Sequence, residues 1–439
     1  MLKMFFVFIS LLFMLQAVQA DEVLFRMHGS NTIGAKLGPA LVQGWLQTMG
    51  YQQIHTVRSD EEEVDIVSRN RAGERKVIEI KSHGSGTSFK SLKSSSADIG
   101  MSSRPIKAKE NNSLKQFGEM SRLGVEFVVG LDGIAVIVNP QNPLMQLDKN
   151  IIKKIFTGKI THWNEVDKSL SGKIHVYARD NKSGTFDTFK ALVMGKKSKL
   201  VKGALRYESN DKLSDDVADD VSGIGFVGLP SVRNAKPLGV SDQGTQAKKP
   251  QKFDVATEDY ALARRLFLYV PELNSNKDVK SFIEFALSES GQNIVDASGF
   301  ISQNLKLKSV EADARFPAEY LKLTHRGQRL SLNFRFKKGT TKPDNKAMRD
   351  IDRLAEFLSK KENKHKKVML FGFAESSESK HPAFSLDLAT YRVDWVSNLL
   401  VQNGIDPVRV RAYGDAIPVV SNEDAGGRHK NRRVEVWLR

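Results

Sequence analysis

Residues 179–189 read Arg179-Asp180-Asn181-Lys182-Ser183-Gly184-Thr185-Phe186-Asp187-Thr188-Phe189. Strand-like sequence precedes this stretch, and the spacing Phe186/Phe189/Leu192 that runs out of it is that of one helix face. A strand, a Ser-Gly-Thr turn and a helix in that order set hydroxyls and free backbone N–H groups at a helix N-terminus, where the partial positive charge favours an anion. Two further segments share the design: Gly29-Ser30-Asn31-Thr32, followed by Ile33/Leu37/Leu41, and Gly84-Ser85-Gly86-Thr87, followed by Phe89/Leu92. Taken singly, each reads better as an ordinary N-cap, because Ser and Thr lead at that position. Three together shift the balance. Arg179, four residues before Ser183, adds a bidentate clamp in place of a plain surface arginine. Several such turns converging on one tetrahedral oxyanion would replace its water with fixed donors.

Outward from these turns, short β-rich runs alternate with helical spacing as far as about residue 310, as in Phe25-Arg26-Met27, residues 35–46 and residues 77–80. This predicts α/β units around a largely parallel sheet. Residues 60–65 and 195–203 are charged runs of opposite sign, and 241–252 is polar; all three read as solvated loops. Residues 311–328 lack a clean period and read as a connector. The pattern then restarts. Leu332-Asn333-Phe334-Arg335-Phe336 alternates like a half-buried strand, and Pro343-Asp344 opens a helix with Met348, Ile351, Leu354 and Phe357 or Leu358 on its apolar face. A strand at 368–371 follows, then a helix carrying Val393, Val396, Leu399 and Leu400 that ends at Gly404, then strands at 408–413 and 433–438. The result is a small α+β unit in the order β-α-β-α-β-β, with no solenoid-type repeat.

The 439 residues are 40% hydrophobic and 27% charged, a globular composition whose length predicts roughly two to four packing units. With no Cys, disulfide-dense and zinc-cysteine architectures are excluded. Met1-Leu2-Lys3, the apolar run 4–15 and Gln16-Ala17-Val18-Gln19-Ala20 read as a signal peptide cut after Ala20. The run falls short of the roughly 20 residues of a spanning helix, so the mature chain is expected to have no transmembrane segment. The net charge is +16, yet basic residues are spread over both halves without aromatic interleaving or a reader motif, and export argues against nucleic acid. Phosphate, lipid headgroups and wall polymers are better partners for this charge. No Walker A pattern, Gly-x-Ser-x-Gly elbow or His-Glu-x-x-His helix occurs, and the nine His, the pair His162 and His175 included, have no metal spacing. The expectation is a binder with no cofactor and no metal, and not an enzyme.

The three turns, together with Ala97-Asp98-Ile99-Gly100-Met101-Ser102-Ser103-Arg104, Ile155-Phe156-Thr157-Gly158-Lys159-Ile160, Trp163-Asn164, Gly223-Ile224-Gly225-Phe226 and Gly291-Gln292, resemble the PstS-like phosphate-binding proteins of ABC importers. The resemblance covers nearly all of residues 22–305. It implies a bilobal periplasmic-binding-protein fold of type II that closes on the anion at a hinge. Carried over, the phosphate ligands are Ser30, Thr32, the amide of Ile33, Ser85, Arg179, Ser183, Gly184 and Thr185, with Asn181 counted among them. Asn181 stands where family members often carry a carboxylate, and Ser103 where some carry Asp. A carboxylate accepts a proton from phosphate and repels sulfate, so Asp180 and Asp98 are candidates to substitute.

The second half, from about residue 330 to 438, resembles the OmpA-like peptidoglycan-binding domain. The likeness rests on Phe334, Phe336, Gly372, Arg392-Val393, Val396, Leu400, Tyr413-Gly414-Asp415, Pro418, Asn422, Gly427-Arg428 and Asn431-Arg432-Arg433-Val434-Glu435. It implies that Glu375 and Arg392 grip the diaminopimelate side chain of the wall, a zwitterion that calls for one fixed charge of each sign. Here Glu replaces the usual Asp, a loop Gly is absent and the spacing to the arginine is two residues longer. Arg428, Arg432 and Arg433 read as support for the fold or the glycan surface.

The expected organisation is a signal peptide 1–20, a two-lobed phosphate-binding domain 21–310, a linker 311–328 and an OmpA-like domain 329–439. The expected role is an exported receptor held at the wall or outer membrane in a Gram-negative periplasm, capturing phosphate for import by an ABC permease. Two alternatives stand beside it: a structural or adhesive envelope protein with a degenerate receptor domain, and a phosphatase-like enzyme. The second ranks last, because no base or metal set accompanies the serines.

Overall fold

Two sheets carry the two runs of alternating pattern, one of eleven strands and one of five. The computed structural model describes residues 22–439 apart from 61, 196, 311–312, 379–381 and 424–426, so the signal segment 1–20 lies outside the described residues. In the large sheet, Glu22–Gly29 pairs in parallel with Arg75–Lys81 and Ile99–Ser102, and His175–Arg179 pairs in parallel with Gly223–Gly228 and Leu205–Tyr207. Between these parallel sets the sheet is antiparallel. The 13-residue strand Glu126–Val138 pairs with Ala263–Tyr269 along residues 126–133 and with Gly223–Gly228 along residues 134–138. The sheet is therefore mixed and not largely parallel, because one strand leaves the first lobe and another returns to it in the opposite sense.

That crossing divides the apolar side chains into two cores. Phe127 and Val129 belong to the first lobe with Met27, Ile33, Leu41 and Trp45; Leu131, Ile134 and Val136 belong to the second with Ile155, Phe189 and Phe226. On the return strand the division falls between Ala263 and Leu266. The fold is bilobal, and its crossover sits at residues 130–131 and 263–266. The charged run 60–65, read as a loop, is instead the tip of a hairpin between Gln52–Asp60 and Glu63–Arg69, whose strands alternate too weakly to register in the sequence.

The C-terminal unit follows the β-α-β-α-β-β order, with helices Asn345–Ser359 and Pro382–Gln402 against the sheet order Leu307–Lys308, Gln328–Arg335, Arg433–Leu438, Val368–Phe373, Arg409–Ala412. Asp344 caps the first helix by accepting from the Ala347 N–H. Its buried face runs through Ala347, Ile351 and Leu354, whereas Met348 is 36% exposed and leaves the expected stripe. The connector 311–328 contains the helix Ala318–Thr324, too short for a period to show. Its Tyr320 ring is buried against Phe371, Phe373, Tyr413 and Trp437.

The strand Gln328–Arg335 is buried on both faces, not one. Leu330, Leu332 and Phe334 enter the module's own core. The opposite face presses on the receptor: Arg329 pairs with Asp259 at 2.6 Å, Asn333 Nδ2 donates to the Thr257 carbonyl at 2.6 Å, and Arg335 pairs with Glu258 at 3.2 Å. The half-buried reading fails because the docked partner buries the polar side of the alternation.

Candidate oxyanion-binding site

All three turns lie at helix starts, and short backbone contacts bind them together. The Ser30 N–H donates to the Met101 carbonyl at 3.0 Å and the Gly84 N–H to the Gly29 carbonyl at 2.7 Å, which ties the first two turns to each other. Gly84 has φ +97°, and a Cβ there would stand 2.4 Å from the Lys182 carbonyl oxygen, so only glycine lets the second and third turns approach. Ser183 is a true N-cap of Gly184–Phe189, its Oγ accepting from the Thr185 and Phe186 N–H groups at 3.2 and 3.3 Å. Ser30 holds the N-cap position of its short helix without a side-chain cap bond, and Ser85 is the first helical residue after the N-cap Gly84.

Between the lobes the hydroxyls meet. Thr32 Oγ1 lies 3.2 Å from Thr185 Oγ1, and Ser85 Oγ lies 3.2 Å from Ser103 Oγ while accepting from the Ser103 N–H at 3.0 Å. Ser30, Thr32, Ser85, Ser103, Ser183 and Thr185 are all buried. Gly184 is packed among them, since a Cβ there would stand 2.1 Å from Ser85 Oγ and 2.4 Å from Ser103 Oγ.

Arg179 ends the strand His175–Arg179 and is 1% exposed. Its Nε donates to the Tyr207 carbonyl at 3.2 Å and its Nη2 to the Glu208 carbonyl, which fixes the plane of the guanidinium. Nη1 has no hydrogen-bond partner among the described residues. Burial lowers the Arg179 pKa to about 10, so the group is still charged at neutral pH. The Ile33 N–H closes its own turn onto the Ser30 carbonyl at 3.1 Å. Asn181 is exposed, its Oδ1 accepting from Arg206 Nη2 at 2.9 Å, and it does not join the buried cluster. Of the two substitute carboxylates, Asp98 accepts from the Arg26 N–H, and Asp180 accepts from the Lys182 N–H and lies 3.9 Å from Arg179 Nη2.

Sequence reasoning missed the pair at the centre. Arg264, on the return strand of the crossover, donates from Nη1 to Thr185 Oγ1 at 2.9 Å and from Nη2 to Thr32 Oγ1 at 3.3 Å, and so spans one hydroxyl from each lobe. Asp132, on the crossing strand, receives Arg264 Nε and Nη2 at 2.9 and 2.6 Å; both side chains are fully buried. With both Thr oxygens accepting from a guanidinium and one O–H donating to the other threonine, one O–H of the pair is left to donate, which suits an anion. The signal was present: Asp132 is a carboxylate in the middle of an otherwise apolar strand that begins at Glu126.

In the C-terminal unit Glu375 and Arg392 are buried, but they do not pair with each other. Glu375 accepts from Arg432 Nη1 at 2.6 Å, with Arg428 at 3.7 Å. Arg392 donates from Nη1 and Nη2 to Glu378 at 2.7 and 2.6 Å. Burial alone would raise the Glu378 carboxyl, but its bonds from Arg392 hold it below the usual range. Among the described residues, no helix is long and apolar enough to cross a membrane and no acidic or His cluster suited to a metal is found.

Residues 68–290 match the PBP superfamily domain, and residues 335–432 match the OmpA family. Phosphate-binding protein PstS of Staphylococcus aureus, in strains USA300 and N315, is 30% identical over 238 residues, which cover 52% of this chain and 71% of the relative. Among solved structures, a putative phosphate ABC transporter substrate-binding protein with bound phosphate from Clostridium perfringens is 26% identical, covers 63% of this chain and 98% of its own, and has a TM-score of 0.49. An ABC-type phosphate transport receptor from Vibrio cholerae is 23% identical with a TM-score of 0.48, covering 63% and 99%. Two lobes around a crossover, with hydroxyl-rich helix starts facing each other across it, are the architecture of a bilobal periplasmic binding protein. The chain belongs to the PBP superfamily as a relative of the PstS phosphate-binding proteins, and it carries a C-terminal OmpA-family domain.

Proposed function

We propose that this protein is an exported phosphate receptor of the Gram-negative periplasm, held at peptidoglycan by its C-terminal domain, that passes its ligand to an ABC phosphate permease. The phosphate ligands are the side chains of Ser30, Thr32, Ser85, Arg179, Ser183 and Thr185 and the backbone at Ile33 and Gly184. Asn181 would act from the rim. The observation that carries this reading is the state of two neighbouring buried guanidiniums. Arg264 has its own carboxylate in Asp132, whereas Arg179 keeps one N–H edge unpartnered, and the positive charge of Arg264 lowers the Arg179 pKa beyond the effect of burial. A buried cation with an open edge calls for an anion. Binding fits these serines better than turnover: Ser183 Oγ accepts as a cap and Ser85 Oγ accepts from the Ser103 N–H, and among the described residues neither has a hydrogen-bonded base.

Calorimetric titration of the mature chain with phosphate and then sulfate, after unfolding and refolding to remove carried-over ligand, tests it. Tight phosphate binding that Arg179→Ala abolishes, with sedimentation on isolated cell walls unchanged, is the expected result. No heat from either anion would leave the structural envelope role as the better account.

A further inference from the structure

The clearest misfit between the wall-binding reading and the geometry is that the expected ligand grip is already filled. Arg392 spends all its edges inside the protein: Nε donates to the Thr340 carbonyl at 3.1 Å, and Nη1 and Nη2 fork onto the Glu378 carboxylate. Both side chains of this pair are 0% exposed. Glu378 Oε1 also accepts from the Gly339 N–H at 2.7 Å and Oε2 from the Glu375 N–H at 3.3 Å. A carboxylate held by a two-pronged guanidinium and two backbone donors has the surroundings that an amino-acid carboxylate of a ligand would need.

We infer that Glu378 is an internal competitor that occupies the carboxylate half of the wall site, so that a wall peptide binds by exchanging its own carboxylate for that of Glu378 on Arg392. The inference rests on the wall-binding reading and deepens it. Exchange of one carboxylate for another keeps Arg392 neutralised, which bare opening would not; leaving a buried charge unpaired is strongly unfavourable. It also says which ligand group is read. Glu375 already faces Arg432 at 2.6 Å and Arg428 at 3.7 Å, so an incoming ammonium finds a carboxylate that is covered, while an incoming carboxylate finds a fork it can take over. Selection therefore falls on the acid of the diaminopimelate side chain more than on its amine. A tethered competitor acts at an effective concentration on the order of millimolar, so it sets a threshold that weak or singly attached acids do not pass.

The test uses the full mature chain and a soluble muropeptide with a free diaminopimelate side-chain carboxylate, against the same muropeptide with that carboxylate amidated. Glu378→Gln keeps the size and some hydrogen bonds but removes the charge. It should bind the free acid about tenfold or more tighter than the unmodified chain, as expected for removal of a millimolar-range tethered rival. The amidated probe should bind weakly to both. Phosphate affinity and the melting curve serve as folding controls; if Glu378→Gln melts early, Glu378→Asp, with a shorter reach to Arg392, should shift binding in the same direction. Equal or weaker muropeptide binding by the variants, with the unmodified chain still sedimenting on whole sacculi, overturns the competitor and spares the wall reading. Failure of every form to sediment on sacculi overturns both.

Discussion

Gly184→Ala isolates lobe closure from lobe folding. The φ of Gly184 lies outside the left-handed region, so alanine fits the local backbone, and in a helix it is favoured over glycine by up to about 1 kcal/mol. Its effect is steric and acts between lobes. The new Cβ would stand 2.1 Å from Ser85 Oγ and 2.4 Å from Ser103 Oγ, both on the first lobe, where ordinary contact begins near 3.4 Å. Both hydroxyls must turn out of their mutual hydrogen bond, and Ser85 Cβ at 3.0 Å still pushes the lobes apart by a few tenths of an ångström, which tight interior packing resists. Overpacking of this kind costs about 1–3 kcal/mol. Charged to the closed state alone, that is a loss of about 5- to 150-fold in anion affinity. Calorimetry with phosphate reads the affinity, and melting without phosphate reads the fold, which should be unchanged because neither lobe core is touched. Phosphate binding at full strength would refute the contact between lobes on which the site is built.

Asp132→Asn should lower thermal stability by on the order of 3 kcal/mol, because it leaves the buried Arg264 guanidinium without its compensating charge; an unchanged melting temperature would mean that Arg264 finds another anion. The docking of the two modules should be sensitive to acid. Burial alone would raise Glu258 and Asp259, but Arg265 and Arg335 around the first and Arg329 around the second hold both well below their ordinary values of 4.5 and 3.8. Folded values below unfolded ones mean that the contribution is fully present above those ordinary values and is lost as pH falls through and below them. Docking should thus be at full strength from pH 7 to 5, weaken progressively as pH falls below about 4, and be lost only once pH passes the depressed folded values; a melting temperature that does not fall between pH 5 and pH 3 would remove the charge pairs from the account of docking.

What a sequence shows directly is what is local. Each hydroxyl turn, the strand before it and the helix after it fit within about fifteen residues, and all three were found. Arg264 and Asp132 are 132 positions apart, and only the strand crossing makes them a pair. Gln328–Arg335 shows the same limit from the other side. Its alternation is plain in the sequence, but whether Arg329, Asn333 and Arg335 meet water or Glu258 and Asp259 depends on a partner surface that the strand's own residues do not encode. In the C-terminal unit the resemblance points to Glu375 and Arg392, and only the fold shows that Glu378, three residues after Glu375, is what Arg392 holds.

The attachment of the second module bears on how a two-lobed receptor can carry a fused domain and still close. During rotation of one lobe against the other, displacement grows with distance from the axis, so a rigid attachment is least strained at the crossover. The buried contacts gather there. Lys430 Nζ donates to the carbonyls of Tyr260, Ala261 and Ala263 at 2.8, 2.8 and 2.9 Å, and Arg265, held by Glu258, reaches Asp344 of the module at 2.7 Å. Elsewhere the contacts are mixed: Ser421 N–H donates to buried Asp242 at 3.1 Å and Val420 enters the second lobe's core, while Lys360 with Glu289 and Arg315 with the Gly244 carbonyl are solvent-exposed and weak enough to break and re-form. Successive residues on a strand point to opposite faces. Arg264 turns to the two threonines of the anion site and Arg265 to the docked module, so the same short stretch of backbone serves both without either side chain competing for the other's partners.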